Sequence, residues 1–429
     1  MTLSRLLYII ALYLLTPIIL LRLLFRAVKA PAYGRRWGER FGFVGGANSN
    51  NVIWLHAVSV GETLAAVPLV KALQDKYPQY RLMLTCMTPT GSERIAAAFG
   101  DSVHHSYAPY DMPDAVARFL NRVQPKLLII METELWPNTI AACAARNIPV
   151  VVANARLSAK SASGYGKVAP VTASMLRRID AIGAQHRDDG QRFIDLGLPG
   201  SAMTVTGNIK FDLCLDQPIK DKAAELSAQW HGTEKTARPV ILASSTHRGE
   251  DEIILRAFTM VRAALDSRPL LVLVPRHPER FNAVAELCAE SGFAVARRSA
   301  NQPTSAADIL LGDTMGELMA FYGACDLTFV GGSLVPTGGH NIIEPAAWGL
   351  PILTGPHLFN FAEASQLLIA GDAMQICDSG EKLAEQMIDL LQNPQRREAM
   401  GHSARQIAEA NRGALDKLLA VIKPLLSDD

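Results

Sequence analysis

Short apolar runs recur along most of the chain, separated by polar loops and amphipathic stretches. After Asn51, "NVIWLHA" is followed by the amphipathic "ETLAAVPLVKALQDKY", and "YRLMLTCM", "KLLIIM" and "IPVVVAN" come next with helical stretches between them. Continuous apolar strands that alternate with helices are typical of a parallel sheet covered on both faces. The pattern therefore predicts an α/β fold for the first half of the chain.

A polar, charged stretch separates this series from a second one. Residues 212–237 read "DLCLDQPIKDKAAELSAQWHGTEKTA", and the apolar runs "PVILAS", "PLLVLVP", "FAVARR", "DILLGD", "DLTFVGG" and "LPILTG" follow. The 429 residues suffice for two domains. We therefore predict two Rossmann-like domains with an interdomain cleft, over residues 31–215 and 238–429, with a linker at 216–237. Ligands of such folds bind beyond the carboxyl ends of the strands, so the loops there are the first place to search.

The N-terminal residues differ from the rest of the chain. Residues 6–21, "LLYIIALYLLTPIILL", contain no charge, and sixteen helical residues cover about 24 Å, slightly less than a ~30 Å hydrocarbon core. Because Arg22 can snorkel, the apolar helix can extend to Phe25 and span a bilayer. A secretory signal peptide is disfavoured, since no small-residue cleavage site follows. We therefore assign residues 1–30 to a membrane anchor with a basic flank.

Positive charge is concentrated just after this segment. The cationic residues between positions 22 and 40 are Arg22, Arg26, Lys29, Arg35, Arg36 and Arg40, against Glu39 alone. The positive-inside rule then predicts a single-pass anchor with the large C-terminal part in the cytoplasm. Trp37 and Phe41 within this basic stretch suit the surface of an anionic membrane.

Composition narrows the class of protein. The chain is 49% hydrophobic and 19% charged, as expected for a well-packed globular protein, and its net charge of +1 gives no field that would attract nucleic acid. The six cysteines lie far apart without a Cys-x-x-Cys pair, at positions 86, 143, 214, 288, 325 and 377. They are typical of small buried side chains in a reducing compartment.

The common nucleotide and metal motifs are missing from the sequence. There is no P-loop, no HExxH and no Asp-x-Asp, and "GYGKVA" at 164–169 follows a Ser/Ala/Lys stretch instead of a strand. We therefore expect no metal site and no cofactor. A bound nucleotide would instead have its phosphate held by helix N-termini and cationic side chains.

Three candidate residues follow apolar runs of the first half. Glu62 stands at a helix start in "HAVSVGET", where a glutamate either complements the helix dipole or serves as a general base. Glu132 and Glu134 in "ETELWPN" face opposite ways if the segment is extended, so only one is expected to enter the cleft. Lys210 in "NIKFD" is either a solvated surface lysine or a functional cation.

The second half supplies further candidates at helix starts and strand ends. Arg276 and His277 follow the strand "LLVLVP", which favours contact with a phosphate or a base. Met315, Gly316 and Glu317 open a helix after "DILL", where backbone N–H groups can meet a ligand.

The stretch "GGHNIIEPAAWGLPIL", residues 338–353, is the most informative. Gly338 and Gly339 let the backbone approach a ligand closely, and Asn341 can cap the helix that follows. The N–H groups of residues 341–343 (Asn341, Ile342, Ile343) would then form an anion site. Glu344 either complements the helix dipole or accepts hydrogen bonds from ribose hydroxyls. A glycine pair, a capped helix, this glutamate and then Gly-x-Pro match the donor-site layout of GT-B glycosyltransferases.

In this combination, the motifs resemble the Kdo (3-deoxy-D-manno-octulosonic acid) transferases of lipopolysaccharide biosynthesis. The resemblance covers nearly the whole chain: the N-terminal anchor, "HAVSVGE", "ETELWPN", "NARLS", "GNIKFD", "PRHPER", "GDTMGEL" and "GGHNIIEPA". It implies a GT-B fold with an acceptor-binding N-terminal domain and a CMP-sugar-binding C-terminal domain. It also implies inverting transfer of Kdo from CMP-Kdo to the lipid A precursor (lipid IVA) at the cell inner membrane, whose lipids would be further partners.

The resemblance also implies roles for individual residues. Glu62 would be the general base that activates the acceptor hydroxyl, and Glu132 and Lys210 would stabilise the transition state. The CMP-sugar contacts would come from Arg276, His277, Met315, Gly316, Glu317, Asn341, Ile342, Ile343 and Glu344. A GT-B-fold sugar-nucleotide epimerase and a non-catalytic, membrane-bound sugar-nucleotide-binding protein remain as alternatives, although the epimerase has no need of an anchor and the binding protein no need of Glu62.

Overall fold

The computed structural model describes residues 3–45, 51–213, 215–232 and 238–426, and these form two compact units. The first unit consists of the chain up to Asp212 together with Arg412–Asp429, and the second of Leu213–Asn411. Each unit is built on its own sheet. The two parallel seven-stranded sheets confirm the α/β fold class predicted from the alternation of apolar runs and helices.

The first unit contains a fully parallel sheet. Its strands are β1 (Val52–His56), β2 (Arg81–Cys86), β3 (His104–Tyr107), β4 (Leu127–Met131), β5 (Val150–Ala155), β6 (Ala181–Ala184) and β7 (Met203–Val205). Their order in the sheet is β3-β2-β1-β4-β5-β6-β7. Every residue of β1, β4 and β5 is buried, because helices cover both faces, and this explains why these strands are continuous apolar runs in the sequence.

Among the described residues, nine α-helices of the first unit precede the second unit. They are α1 (Leu3–Lys29), α2 (Trp37–Arg40), α3 (Val60–Lys76), α4 (Pro89–Phe99), α5 (Pro113–Val123), α6 (Pro137–Ala144), α7 (Ala159–Gly166), α8 (Ala169–Leu176) and α9 (Arg187–Asp195). Within α1, Arg5–Val28 is the one helical segment of the described chain that is long and apolar enough to cross a membrane, judged by length and composition alone.

The second unit repeats the architecture. Its strands are β8 (Val240–Thr246), β9 (Leu270–Pro275), β10 (Val295–Arg297), β11 (Ile309–Leu311), β12 (Leu327–Val330), β13 (Ile352–Thr354) and β14 (Met374–Ile376). All pairings are parallel, in the order β10-β11-β9-β8-β12-β13-β14. Its helices are α10 (Gln217–His231), α11 (Asp251–Ala264), α12 (Phe281–Glu290), α13 (Leu318–Tyr322), α14 (Ile343–Trp348), α15 (Ala362–Ala370), α16 (Gly380–Gln392) and α17 (Pro394–Ala410).

The segment predicted as a linker is mostly helical. Helix α10 buries Ala223, Leu226 and Trp230 in the core of the second unit, where the Trp230 ring packs edge-on against Phe321 at 5.2 Å. Burial of these three apolar side chains stabilises a helix in a stretch that is otherwise polar. The end of the predicted linker, residues 233–237, lies outside the described residues.

The last helix of the described chain, α18 (Ala414–Ile422), belongs to the first unit, although residues 238–429 were assigned to the C-terminal domain. Leu418, Leu419 and Ile422 are buried in the same apolar cluster as the β1 side chains. The carboxylate of Asp212 accepts hydrogen bonds from the N–H groups of Gly413 and Leu415 and so fixes the start of α18. The C-terminal segment therefore completes the core of the first unit.

The described cysteines are all free thiols. Four of the five are buried and Cys325 is half-buried, as predicted for small core side chains, while Cys214 lies outside the described residues.

Candidate active site

The candidate residues of the first unit lie at one edge of its sheet. Glu62 follows β1, Glu132 follows β4 and Lys210 follows β7. In a parallel sheet all of these positions are at the carboxyl ends of the strands, which is where such folds bind ligands. The topology brings Glu62 and Glu132 together, because β1 and β4 are neighbours in the sheet. Strand β7 lies three strands from β4, so the segment after β7 must return along this edge to bring Lys210 to Glu132.

Glu62 is fixed at the start of α3 by a capping box. Its carboxylate accepts hydrogen bonds from the N–H of Val58 at 2.7 Å and from the hydroxyl of Ser59 at 2.6 Å, while its own N–H donates to the Ser59 hydroxyl at 3.2 Å. This pair satisfies donors that the first turn of a helix would otherwise leave open. Glu62 therefore has a structural role at the start of α3, as a member of the capping box.

The environment of Glu62 also alters its acidity. Burial, with only 7% of the residue exposed, raises the pKa of Glu62 from its ordinary 4.5 to about 7. The hydrogen bonds from Ser59 and Val58 lower it, and the negative charges of Glu134 and Glu132 raise it again. A carboxylate with a pKa near neutrality is matched to proton transfer at physiological pH. The structural role and a role as general base are therefore compatible in one side chain.

Glu132 and Lys210 form an ion pair. The Lys210 Nζ lies 3.2 Å from a carboxylate oxygen of Glu132, and the two side chains are 28% and 26% exposed. The backbone of Glu132 is left-handed, with φ of 55°, directly after β4. Such a conformation costs a non-glycine residue about 1–2 kcal/mol and is concentrated at functional sites. This left-handed backbone ends the alternation of side chains between the two faces of the sheet, so Glu132 does not continue the pattern of β4.

A chain of amide side chains holds the loop that carries Lys210. Asn208 accepts a hydrogen bond from the Lys210 N–H at 3.0 Å and donates to Gln185 at 3.2 Å. Gln185 donates to the carbonyl of Asn154, whose side-chain oxygen accepts the N–H of Ile209 at 3.1 Å. Asn154 is completely buried and left-handed, with φ of 54°. These residues were not identified from the sequence, because an isolated Asn or Gln carries no pattern.

Glu134 has a different environment from Glu132. It accepts a hydrogen bond from the Trp136 indole at 3.3 Å, and burial raises its pKa. The Trp136 ring packs edge-on against His56 at 4.5 Å, and burial lowers the pKa of His56 to about 3. His56 is therefore neutral at physiological pH. Glu132 pairs with Lys210 and Glu134 does not, although the negative charges of both raise the pKa of Glu62.

The candidate residues of the second unit likewise share one edge of a sheet. Arg276 and His277 follow β9, Met315–Glu317 follow β11, and Asn341–Glu344 lie beyond β12. Strands β11, β9, β8 and β12 are consecutive neighbours in the sheet, so these loops all emerge at its carboxyl edge. This is the location at which nucleotides bind in Rossmann-like folds.

Glu344 is held by Asn341, although the N-cap position of α14 is Ile342 and not Asn341 as predicted. The side-chain amide of Asn341 donates to its carboxylate at 3.0 Å, and the side-chain oxygen of Asn341 accepts the N–H of Ile343 at 3.0 Å. One of the N–H groups assigned to an anion site is therefore already used, and both Ile342 and Ile343 are buried. Burial raises the pKa of Glu344, while the Asn341 hydrogen bond and the positive charge of Arg276 lower it. Arg276 and Glu344 thus lie in one electrostatic neighbourhood.

The glycine pair before this helix has a packing role. Gly338 and Gly339 have φ of 100° and 77°, which L side chains rarely adopt. A Cβ at Gly338 would lie 2.4 Å from the Phe359 ring and 2.6 Å from Asn360. The pair therefore lets two loops of the protein approach each other, whereas the sequence interpretation had assigned the close approach to a ligand.

Glu250 organises the loop after β12 from a distance. Its fully buried carboxylate accepts hydrogen bonds from four backbone N–H groups, those of His247, Gly332, Ser333 and Leu334, at 2.7 to 2.9 Å. Four donors compensate the burial of one charge. The sequence analysis did not single out Glu250, because three of its four partners lie more than eighty residues further along the chain.

Three imidazoles gather near Arg276. His247 and His340 stack with centroids 5.0 Å apart and Nε2 atoms at 2.7 Å, and His277 approaches His247 edge-on at 5.4 Å. Burial, together with the positive charge of Arg276, lowers the pKa of His340 to about 3. His247 and His340 were not proposed as site residues from the sequence, since single histidines after strands give little signal.

Met315–Glu317 have a mainly structural environment. The Glu317 carboxylate forms a two-point ion pair with Arg298 at 2.6 and 3.1 Å and accepts the Thr314 hydroxyl at 2.6 Å. Met315 is exposed and Gly316 is left-handed, with φ of 85°. The Glu317 side chain is therefore committed to Arg298, so its expected ligand contact would have to come from the backbone.

Comparison with known proteins gives a consistent result. The family model described as 3-deoxy-D-manno-octulosonic-acid transferase (kdotransferase) matches residues 35–213. A 3-deoxy-D-manno-octulosonic acid transferase of Haemophilus influenzae is 46% identical over 428 residues, which cover 98% of this chain and 99% of that protein. The protein of the same name from Bordetella pertussis is 38% identical over 435 residues, covering 98% and 99%.

Solved structures agree on the fold. The UDP-GlcNAc 2-epimerase of Neisseria meningitidis, solved with bound UDP-GlcNAc, has a TM-score of 0.56 and covers 87% of this chain and 100% of its own. Its sequence is 13% identical, so the likeness shows the GT-B-type fold alone. It does not revive the epimerase alternative, because the sequence relatives that match nearly end to end are Kdo transferases.

Proposed function

The chain belongs to the Kdo transferase family, and from that premise we propose that it moves Kdo from CMP-Kdo to a lipid A precursor, lipid IVA, with inversion. The observation that carries the proposal is Glu62, a buried carboxylate at the carboxyl end of β1 whose pKa is raised to about 7. Such a group takes a proton readily near neutral pH, and the acceptor supplies a hydroxyl that must lose one.

The proposed reaction is a single displacement. The acceptor hydroxyl oxygen attacks the anomeric carbon of Kdo, its proton passes to the Glu62 carboxylate, and the bond from the anomeric carbon to the phosphate oxygen breaks. CMP leaves with the electron pair of that bond. One base suffices for this route, and no protein nucleophile takes part, which accounts for the inversion.

Glu132 and Lys210 are proposed to stabilise the charges that develop. A lysine held by an ion pair and by a hydrogen-bonded loop is a preorganised cation, and preorganised charges lower a barrier without reorganising during the reaction. The amide chain from Asn154 to Asn208 supports this role, because it accepts hydrogen bonds from the backbone N–H groups of Ile209 and Lys210.

The second unit is proposed to bind the CMP part of the donor. Arg276 supplies positive charge, Glu344 accepts hydrogen bonds from the ribose hydroxyls, and the backbone of Met315–Glu317 meets the base. CMP carries a single phosphate, so an arginine and backbone N–H groups can stabilise the leaving group without a metal ion. In the part of the chain that the structure describes, no group of His, Cys, Asp and Glu side chains is arranged to hold a metal.

Membrane association belongs to the same proposal. The acceptor is a glycolipid, α1 is apolar enough to enter a bilayer, and Arg22, Arg26 and Arg35 are exposed beside it. These features support an enzyme held at the cytoplasmic face of the inner membrane, where exposed arginines meet anionic lipid.

The direct test is mass spectrometry of lipid IVA after incubation with the full-length protein and freshly generated CMP-Kdo. We expect lipid IVA to gain the mass of at least one Kdo residue, and one CMP to be released for each Kdo residue transferred. Turnover of sugar nucleotide without any lipid acceptor would instead favour an epimerase, and binding of CMP-Kdo without turnover would favour a non-catalytic binding protein.

A further inference from the structure

Helix α1 has two faces that differ in exposure from Arg5 to Val28. One face is buried or half-buried against the first unit, and its members recur every three or four residues: Arg5, Tyr8, Leu12, Thr16, Ile19, Leu23 and Ala27. The opposite face is exposed, and its residues are also spaced every three or four positions: Leu7, Ile10, Leu14, Ile18, Leu21, Phe25 and Val28. We call these the docked face and the apolar stripe. A helix free of the protein body would show no such division.

Polar contacts fix the N-terminal part of α1 to the first unit. The Arg5 guanidinium donates to the side-chain oxygen of Asn138 at 2.9 Å, and the Tyr8 hydroxyl donates to Asp111 at 3.0 Å. Asn138 is 1% exposed and Asp111 6% exposed, so both partners belong to the folded core of the unit.

The Asp111 carboxylate is itself part of that core. It also accepts the N–H groups of Asn138 and Thr139 at 3.0 and 2.7 Å, so it is held in place independently of Tyr8. One turn further along α1, the Tyr13 hydroxyl donates to Asp114 at 2.5 Å. These bonds tie the start of α1 to a rigid part of the unit, the starts of α5 and α6.

Near the C-terminal end of α1, the docked face is buried at Leu23, and Arg26 contacts a ring in the segment that directly follows the helix. Leu23 is 6% exposed, and the Arg26 guanidinium lies 5.3 Å from the centre of the Tyr33 ring. Arg5 and Leu23 are eighteen residues apart, which is about 27 Å of helix. If α1 crossed a bilayer with the unit on the cytoplasmic side, Arg5 and Tyr8 would lie across the hydrocarbon layer from Asn138 and Asp111. The docked contacts and a crossing helix therefore exclude each other.

From these contacts we infer that α1 does not cross the membrane but lies in its surface, with the docked face on the first unit and the apolar stripe among the lipid chains. Length and composition predict a membrane-spanning helix, but they take no account of the contacts that the docked face makes with the first unit. An interfacial helix with one apolar and one polar face is a known mode of membrane attachment.

The chemistry of the stripe identifies its occupant as lipid. From Leu7 to Val28 the stripe holds no polar side chain, and Leu14, Phe25 and Val28 are 73%, 75% and 84% exposed. It is about 32 Å long, far larger than the scattered apolar residues of an ordinary surface.

The charges beside the stripe favour a bilayer over a second copy of the chain as the partner of this surface. Arg22, Arg26 and Arg35 lie exposed beside the stripe. In a dimer that paired two stripes, these like charges would be brought together without compensation. Anionic lipid head groups neutralise them, so the surface matches an anionic bilayer.

Sidedness of the N-terminus gives the first test. Full-length protein with a protease-cleavable tag before Met1 and a second one after Asp429 is examined in spheroplasts and in inverted inner-membrane vesicles. We expect both tags to be cut in inverted vesicles and both to be protected in spheroplasts. Cleavage of the N-terminal tag in spheroplasts would overturn the inference, since it would place the two ends on opposite sides.

Depth along the stripe gives the second test. A fluorescent amino acid replaces Leu7, Leu14 or Leu21 in turn, and quenching by brominated lipids is measured in vesicles of phosphatidylethanolamine and phosphatidylglycerol. We expect equal, shallow quenching at all three positions. A span would make Leu14 about 10 Å deeper than Leu7, and absence of quenching would show that protein covers the stripe; either result contradicts the inference. Neither readout depends on Kdo transfer, so it stands or fails separately from the proposed function.

Discussion

The Ser59 hydroxyl lies 2.6 Å from the Glu62 carboxylate and also accepts the backbone N–H of Glu62 at 3.2 Å. A helix cap and a proposed general base are thus the same side chain. The two roles respond differently to substitution. A glutamine keeps one acceptor oxygen for Ser59, places an NH2 group where the Val58 N–H now finds an acceptor, and cannot take up a proton. This difference makes the assignment of Glu62 testable.

We predict that Glu62→Gln loses turnover by about 10²–10⁴-fold, the usual contribution of a general base. Its melting temperature should fall less than that of Glu62→Ala, because glutamine keeps the acceptor for Ser59 and loses only the one for the Val58 N–H. CMP affinity should stay nearly unchanged, because the proposed donor contacts are in the other unit. Turnover, CMP affinity by calorimetry and melting temperature are measured on one preparation. Glu62→Ala is the companion variant, in which the cap is lost too and the melting temperature should fall. Near-normal turnover of Glu62→Gln would remove Glu62 from the mechanism.

The raised pKa of Glu62 predicts opposite effects of pH on activity and stability. The base must be ionised, so kcat/KM should fall as the pH drops below about 7. For stability, the folded state holds its proton up to about 7, whereas the unfolded chain releases it near the ordinary 4.5. Between these values the folded state binds more protons, so the contribution of Glu62 to the free energy of unfolding decreases as pH rises.

Two variants check this pH dependence. Ser59→Ala removes a hydrogen bond that lowers the Glu62 pKa, so the acid limb of the kcat/KM profile should move to higher pH. Glu62→Gln should remove the Glu62 part of the stability slope in melting curves recorded between pH 5 and 8. An acid limb that stays in place in Ser59→Ala would show that another group controls the profile.

We predict that Lys210→Ala lowers turnover by about 10²–10³-fold, as the loss of one preorganised donor to a transition state does. A partly exposed ion pair contributes at most about 1 kcal/mol to stability, so the melting temperature should change little. The matched control is Lys222→Ala, because Lys222 forms a 2.8 Å ion pair with Glu225 on the surface of α10. Equal effects of the two substitutions on turnover would show that Lys210 is an ordinary surface lysine with no role in the reaction.

Much of the fold follows from local sequence, because long, doubly covered strands such as β1, β4 and β8 are continuous apolar runs. The short edge strands β3, β7 and β14 were not identified, since half-exposed strands of three or four residues give no clear pattern. The placement of α18 depends on contacts with residues more than three hundred positions earlier, which periodicity does not encode.

The candidate site divides in the same way. Glu62 and Glu344 stand at helix starts after strands, and general rules of α/β folds direct attention there. Asn154 accepts the N–H of Ile209, and Glu250 accepts those of Gly332, Ser333 and Leu334. These partners are distant in the sequence, so the residues around Asn154 and Glu250 do not predict them. Sequence patterns therefore identified the groups expected to face ligands better than the groups that hold their loops.

We predict that Kdo transfer survives treatment with EDTA. The proposed leaving group carries one phosphate, and the missing Asp-x-Asp motif gives no reason to expect a bound divalent ion. The rate of lipid IVA modification is compared before and after chelation, with a magnesium-dependent kinase as the positive control for metal removal. Loss of turnover that magnesium restores would contradict this prediction.

The last prediction concerns the donor site. Glu344 is a half-buried glutamate whose carboxylate accepts one hydrogen bond from Asn341, and we propose that its remaining acceptor capacity serves the ribose. A hydrogen bond to a charged group is worth roughly 1.5–3 kcal/mol, so Glu344→Gln should weaken CMP binding at least tenfold in calorimetry. If Glu344 only compensates the α14 dipole, Glu344→Gln should lower the melting temperature and leave CMP affinity unchanged.

Glu381→Gln is the matched control, because Glu381 is an exposed first-turn glutamate of α16. This substitution should change the melting temperature and CMP affinity by only a small amount. Unchanged CMP affinity in Glu344→Gln, with a lowered melting temperature, would return Glu344 to a purely structural role.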